Sequence, residues 1–145
     1  MKLEFRADEN AREVRVIVVA KEYGPEVEAV FARMREPERI AAFSERGEAL
    51  LEPEEIIRIY TEKRRVLVDS RRGTFSLRCR LYEIEERLGG GFVRISNSEI
   101  VNKRCIRSLD FSLTGTIRLT LGDGIETYVS RRYVSKIRAT FGGNT

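Results

Sequence analysis

The chain of 145 residues contains no histidine and no tryptophan, and it has only two cysteines, Cys79 and Cys105. Without histidine the commonest general base of enzymes is missing, and nucleophile pairs of the Ser-His and Cys-His kinds are excluded. Two thiols cannot supply the four ligands of a zinc site, and in a cytoplasmic chain we expect them to stay reduced. No residue is singled out for catalysis, so we predict neither an enzyme nor a bound cofactor or metal.

Long apolar runs are also missing. The longest, from Val16 to Ala20, has the length of a strand and falls far short of the roughly 20 residues that cross a bilayer. Residues 1–4 lack the apolar stretch of a signal peptide. We therefore expect a cytoplasmic protein that does not span a membrane.

Charge is abundant and unevenly distributed. Charged residues make up 34% and hydrophobic residues 41%, which is typical of a globular chain with a heavily charged surface. Residues 1–50 hold 9 Lys and Arg against 11 Asp and Glu, whereas residues 51–145 hold 18 against 12. The basic part therefore begins near residue 51, and a sequence pI of about 9.3 suits a polyanionic partner.

Residues 1–50 are predicted to form a small β/α region. Leu3 and Phe5 alternate with polar residues, and residues 14–19 are rich in β-branched side chains, so both segments are typical of strands. Pro25 stands at a favourable first helical position, and apolar residues follow it at helical spacing, as in a core-facing stripe. The remaining predicted elements are a helix end at Pro37 and short strands at 40–43 and 49–51.

From residue 53 the pattern changes to strands joined by turns, with one amphipathic helix from about Arg80 to Leu88. Gly89-Gly90-Gly91 ends this helix; a phosphate-binding loop is the alternative, although such loops normally precede a helix. Ser130 is predicted to cap a short terminal helix through Ile137. The predicted strands are 56–60, 66–68, 74–78, 105–111, 116–121 and 125–129, with tight turns at 71–73 and 122–124.

A polar interruption of a strand carries the most informative chemistry. Residues 92–95 alternate as in a strand, and Ser96-Asn97-Ser98 then brings hydroxyls and a carboxamide, which hydrogen-bond phosphate oxygens and base edges. A second polar cluster, Ser130-Arg131-Arg132-Tyr133, lies near the end of the chain. Both lie in the basic part of the chain, and together they indicate DNA binding.

These stretches resemble the LytTR DNA-binding domain of bacterial transcription regulators, over about residues 51–138. The matching pieces are Leu51–Ile59, Leu81–Leu88, Phe92–Asn102 and Val129–Tyr133. The resemblance implies a mainly β fold (α+β overall), elongated, with one internal helix and a short C-terminal helix. It also implies that loops, rather than a recognition helix, enter successive major grooves, and that paired domains bind repeated half-sites.

We divide the chain into an N-terminal region (1–50), a DNA-binding domain (51–140) and a frayed tail (141–145). The slight acidity of residues 1–50 argues against DNA contact, and their strand-rich pattern offers an edge for pairing, so a dimerisation or regulatory role is expected. The first 50 residues are too few for the receiver domain that precedes many family members, so the chain is similar to the short standalone class, which is often encoded beside a small membrane protein. The expected function is sequence-specific transcription regulation; an RNA-binding or protein-interaction β-domain is the alternative. The expected partners are double-stranded DNA with repeated half-sites, a second copy of the chain at least on DNA, and a small membrane-protein regulator.

Asn97 is the first candidate for base contact, because its carboxamide can bridge an adenine edge; an asparagine that stabilises its own turn is the alternative. Arg132, on the first turn of the terminal helix, is the next candidate, with a solvated helix charge as the alternative. Arg64 follows, where the resemblance implies a first DNA loop that contacts base or phosphate, with an ordinary exposed hairpin as the alternative. Many family members have His in place of Ser96 and Arg or Lys in place of Asn97, which implies a different sequence preference. Arg94 is expected to support the loop from inside, and Asn102 to stabilise a turn. The candidate phosphate contacts are Ser96, Ser98, Lys103, Arg104 and Arg131, with Lys63 and Arg65 beside Arg64.

Overall fold

Ten strands and three α-helices occur in residues 1–34 and 38–142, which are the residues described by the structure, a computed structural model. The helices are α1 (Pro25–Met34), α2 (Leu81–Leu88) and α3 (Val134–Phe141). The strands are β1 (Ile40–Ser44), β2 (Gly47–Leu51), β3 (Ile56–Glu62), β4 (Arg65–Ser70), β5 (Gly73–Leu77), β6 (Phe92–Ser96), β7 (Glu99–Asn102), β8 (Ile106–Asp110), β9 (Ile117–Leu121) and β10 (Glu126–Val129).

The strands form two antiparallel sheets. The large sheet has the order β2-β1-β5-β4-β3-β7-β6, and the small sheet has the order β10-β9-β8. Strands β1 and β2 join the same sheet as β3, so residues on both sides of position 51 share one sheet. The division of the chain at that position stays a prediction.

Two apolar cores cover opposite faces of the large sheet. In the first core, α2 packs Leu81, Ile84 and Leu88 onto one face, because these residues share one side of the helix. In the second core, the small sheet and Ile137 of α3 cover the other face at β3, β7 and β6. The small sheet therefore covers only one half of that face.

A β-bulge in β3 lets the strand serve both cores. Its register against β4 shifts between Ile56 and Arg58. Ile56 and Ile59 therefore both reach the first core, although a regular strand would place them on opposite faces. Ile57 packs in the second core.

The mainly β fold with an internal and a terminal helix is confirmed, but two of the predicted strands are wrong. Residues 3–5 and 14–19 are extended without a paired neighbour in the described structure, because a strand pattern is local whereas a ladder needs a second strand. Pro37 lies outside the described residues, as do residues 143–145 of the predicted tail. The predicted side-chain cap at Ser130 is also absent from the described bonds, because a 3-10 turn at Arg131–Tyr133 comes first and Tyr133 occupies the N-cap of α3.

Candidate nucleic-acid interface

Three turns meet at one end of the large sheet. They are Lys63–Arg65 at the β3–β4 turn, Ser96–Ser98 at the β6–β7 turn and Arg131–Tyr133 before α3, and we name them together the loop cluster. The Thr61 amide donates to the Ser98 carbonyl oxygen at 2.9 Å, and the Ser130 amide donates to the Ile95 carbonyl oxygen at 2.9 Å. These two backbone bonds hold the three turns against one another.

The Arg94 guanidinium holds the β6–β7 turn from inside. Its Nε donates to the Ser96 carbonyl oxygen at 2.7 Å, and its Nη2 donates to the Asn97 carbonyl oxygen at 2.6 Å. Its Nη1 donates to Glu85 Oε1 of α2 at 2.9 Å. The side chain is only 13% exposed, so it supports the turn and presents little surface to a ligand. This arrangement agrees with the supporting role predicted for Arg94.

Asn97 lies at the point where the β6–β7 turn meets the 3-10 turn. Its Oδ1 accepts from the Tyr133 hydroxyl at 3.3 Å and from Arg132 Nη1 at 3.5 Å. Both distances are at the long end for a hydrogen bond, so these bonds are weak and can be exchanged for bonds to a ligand. The structure thus brings together Asn97 and Arg132, although 34 residues separate them in the sequence.

The two serines of the β6–β7 turn stabilise its backbone. Ser96 Oγ accepts from the Ser98 amide at 3.1 Å and lies 3.2 Å from Ser98 Oγ. A hydroxyl that accepts from the amide two residues later is a common way to fix a tight turn. Each serine oxygen keeps a free position for a phosphate contact, because a hydroxyl has one donor and two acceptor sites.

The β3–β4 turn has a strained backbone. Glu62 pairs with Arg65, which leaves Lys63 and Arg64 as the two turn residues. Both have positive φ angles, 50° and 66°, and they are the only non-glycine residues in the described chain that do. Such tight hairpin turns normally place Asn-Gly at these positions. Two long cationic side chains therefore occupy positions where the backbone favours smaller residues.

The loop cluster is electropositive. It carries Lys63, Arg64, Arg65, Arg131 and Arg132, all of them exposed. None of these cations forms an ion pair with a carboxylate of the described residues, whereas Arg94 and Arg118 elsewhere do. Unpaired cations on one surface attract phosphate groups and release counterions when they bind them.

A buried polar network joins the two sheets directly behind the loop cluster. Arg58 bonds Asp69 Oδ2 at 2.9 Å and Glu99 Oε2 at 3.3 Å, and Thr127 of the small sheet donates to Glu99 Oε1 at 2.7 Å. Burial alone would lower the pKa of Arg58, but the hydrogen bond to Asp69 and the charge of Glu99 raise it above the ordinary value. Arg58 therefore stays charged, and the network fixes the strand that leads out of the β6–β7 turn.

Two predicted phosphate contacts lie away from the loop cluster. Lys103 and Arg104 follow β7 at its other end, roughly 17 Å from Ser98 at about 3.3 Å per strand residue. Beside them, buried Asn102 donates to the Ile56 carbonyl oxygen at 2.8 Å and accepts from the Arg104 amide at 3.0 Å. Asn102 thus has the structural role predicted for it.

Two residues of the site were not predicted from the sequence. Tyr133 orients Asn97, and Glu85 anchors Arg94. Tyr133 belongs to the matching Val129–Tyr133 stretch, so its presence in that motif was the available signal. Glu85 is one of several acidic residues on α2, and its sequence context gives no such signal.

A family model of the LytTr DNA-binding domain matches residues 48–142. The chain belongs to the LytTR family. A protein of Staphylococcus aureus (strain bovine RF122 / ET3-1), named an uncharacterized HTH-type transcriptional regulator, is 30% identical over 141 residues, which cover 95% of this chain and 96% of that protein. Another of the same description, from strain MSSA476, is 50% identical over 64 residues, 44% of each chain.

A solved structure supports the fold. The LytTr DNA-binding domain of a Bacillus cereus response regulator is 22% identical, with a TM-score of 0.69 over 72% of this chain and 97% of that one. The resemblance predicted from the sequence is thus confirmed for both the family and the fold.

The arrangement of helices separates this LytTR chain from the helix-turn-helix architecture that the relatives' names mention. Between α2 and α3 lie the strands β6 to β10, so the described residues contain no pair of helices joined by a short turn. Among the described helices, none has the length and apolar character needed to cross a membrane. In this family member the cations of the loop cluster lie on a hairpin turn and a short 3-10 helix, and none of them lies on α1, α2 or α3.

Proposed function

We propose that this LytTR-family chain is a cytoplasmic, sequence-specific regulator of transcription that reads double-stranded DNA in the major groove with the loop cluster. The observation that carries the proposal is the contact of an exposed carboxamide, Asn97, with Arg132, on turns that are held by backbone and Arg94 hydrogen bonds and that carry five cations without a carboxylate partner in the described residues. Rigid positioning matters because base recognition requires donors and acceptors at defined places.

Within this proposal the residues have different roles. Asn97 reads adenine through its carboxamide, and Arg132 reads guanine O6 and N7. Arg64 contacts a base or phosphate from the neighbouring turn, and its strained backbone supports this role, because strain of this kind is often retained at functional sites. The phosphate contacts that fix the register are Lys63, Arg65, Ser96, Ser98 and Arg131.

Lys103 and Arg104 contact the DNA backbone farther along the duplex. A separation of roughly 17 Å from Ser98 corresponds to about half a helical turn of 34 Å. We further infer that two copies of the chain bind repeated half-sites, and that a small membrane protein controls the activity.

A selection from random duplexes at low salt tests the proposal. The wild-type chain should enrich one motif, and its affinity should fall steeply with salt. Asn97→Ala should lose discrimination between the motif and its single-base variants, by about 1–3 kcal/mol at the base it contacts. Lys103→Ala should instead weaken binding to all duplexes alike. If no motif is enriched, the proposal is wrong; if single-stranded RNA competes better than the duplex, the chain is an RNA-binding domain.

A further inference from the structure

The first 19 residues, which we name the N-terminal arm, expose an unusual amount of apolar surface. Leu3 is 86% exposed, Phe5 92% and Val14 94%. The large apolar side chains of the arm that are more than half exposed are Met1, Leu3, Phe5, Val14, Val16, Ile17 and Val19. So many large apolar side chains exposed within one 19-residue segment favour an interaction surface over singly scattered exposed residues.

A tight turn lies in the middle of the arm, and the sequence on its two sides fits a hairpin register, although the two sides are not paired in the described structure. The Ala11 amide donates to the Asp8 carbonyl oxygen at 3.1 Å, and the Asn10 amide donates to Asp8 Oδ1 at 2.9 Å. Continued outward from Asp8 opposite Ala11, this register places apolar pairs on one face and opposite charges on the other. The apolar pairs are Leu3–Val16 and Phe5–Val14, and the charged pairs are Glu4–Arg15 and Arg6–Glu13.

A complementary surface is open elsewhere on the chain. The small sheet leaves one face of β2, β1, β5 and β4 uncovered, and a groove of about 840 Å³ lies there. Apolar residues such as Phe43 and Leu67 line it together with charged ones such as Glu45 and Arg46, and the Arg78 guanidinium carbon lies 3.8 Å from the centre of the Phe43 ring. Next to it, β2 is an edge strand that pairs only with β1. An uncovered edge of this kind accepts an added strand from another chain.

The arm does not lie on the groove of its own chain. Val16 and Val18 lie beside Phe31 and Met34 of α1, and α1 contacts the 3-10 turn that follows α2. The C-terminal end of the arm therefore lies on the side of the large sheet that α2 covers. The groove opens on the opposite face, which is the face that the small sheet partly covers.

We propose that the arm of each chain docks on the groove and the β2 edge of a second copy, so that two chains exchange arms. At roughly 100 Å² for each large side chain, the seven exposed residues offer on the order of 700 Å², close to the roughly 800 Å² that each partner of a stable complex buries. The arm carries 4 basic and 4 acidic residues, a balance that suits a protein surface and not an anionic membrane or DNA.

The proposal deepens the two-copy binding of the proposed function, and it is tested on the full chain without DNA. Sedimentation equilibrium should show a dimer for the wild-type chain at micromolar concentration. The double variant Phe5→Glu, Val16→Glu should raise the dimer dissociation constant at least a hundredfold. Tyr128→Ser, which removes a half-exposed aromatic side chain from β10, should leave it unchanged. A monomeric wild-type chain, or a double variant that still dimerises, overturns the proposal.

Cross-linking decides where the arm docks, and it does not require the double variant to fold. The photoreactive substitution Phe5→p-benzoylphenylalanine keeps an aromatic group at that position, and chains labelled with ¹⁵N are mixed with unlabelled ones. Cross-linked peptides that join residue 5 to residues 43–50 or 65–76 should contain one labelled and one unlabelled partner. Links found only within one chain, or only between two arms, overturn the exchange. Because no DNA is present, these results do not depend on whether the loop cluster reads bases.

Discussion

Replacing Lys63-Arg64 with Asn-Gly should make the protein more stable and make it a weaker DNA binder. Both residues have positive φ angles, 50° and 66°, and an L-residue in this conformation costs roughly 1 kcal/mol. Asn and Gly accept such angles readily. If about half of the combined strain is relieved, the free energy of unfolding rises by about 1 kcal/mol, or about 3 °C in Tm for a chain of this size.

The same double substitution removes two cations from the loop cluster. If both contact phosphates, the slope of log K against log salt should become less steep by about 1.8, at about 0.9 for each contact. Urea unfolding measures the first effect, and fluorescence anisotropy on a selected duplex at several salt concentrations measures the second. The control is Arg33→Gln with Arg107→Gln, which removes two exposed cations outside the loop cluster.

Two results would refute this reasoning. If the Asn-Gly variant is no more stable than the wild-type chain, the turn is not strained. If its salt slope equals that of the wild type, or if the control changes the slope equally, Lys63 and Arg64 do not contact DNA in the proposed way.

Three substitutions and one thiol measurement test the support of the site and the packing of the cores. Arg94→Met should weaken binding to the selected duplex about tenfold, or about 1.4 kcal/mol. The slope of log K against log salt should not change, because Arg94 positions the turn and does not face phosphate. A full loss of that slope would contradict this role. Arg58→Met should lower the free energy of unfolding by about 2–3 kcal/mol, since it leaves two largely buried carboxylates without their partner. Ile100→Ala should lower it by about 3 kcal/mol, because a fully buried side chain in the first core leaves a cavity; an effect under 1 kcal/mol in urea would place Ile100 outside the core. Burial raises the pKa of the Cys105 thiol, so Ellman's reagent at pH 8 should react with it slowly until urea unfolds the chain, and stability should fall as the pH rises past the pKa of the unfolded thiol.

Local patterns in the sequence were enough to place α2 and the polar turn at residues 96–98. The spacing of Leu81, Ile84 and Leu88 defines one helix face, and the change from alternating residues to Ser-Asn-Ser marks the end of a strand. Both signals depend only on neighbouring residues, so they can be recognised without knowledge of the fold.

Contacts between distant segments could not be predicted in the same way. No local pattern indicates that Tyr133 and Arg132 meet Asn97, because this contact depends on how the small sheet packs against the large one. Lys103 follows the same polar stretch, yet the length of β7 carries it to the other end of the strand. In the arm, by contrast, a clear local pattern predicted strands that do not form. The described sheets contain no strand that pairs with these residues.

The shared oxygen of Asn97 has a consequence for how operator preference changes in evolution. Because Arg132 and Tyr133 both touch this oxygen, a substitution at position 97 also releases the guanidinium at position 132. Under the proposed function both positions contact bases, and their effects on base preference should then be non-additive in a double-mutant cycle. Both side chains are exposed, so paired replacements cost the folded protein little. If Asn97 and Arg132 contact bases as proposed, we expect a change of target sequence to require exchange of both residues together.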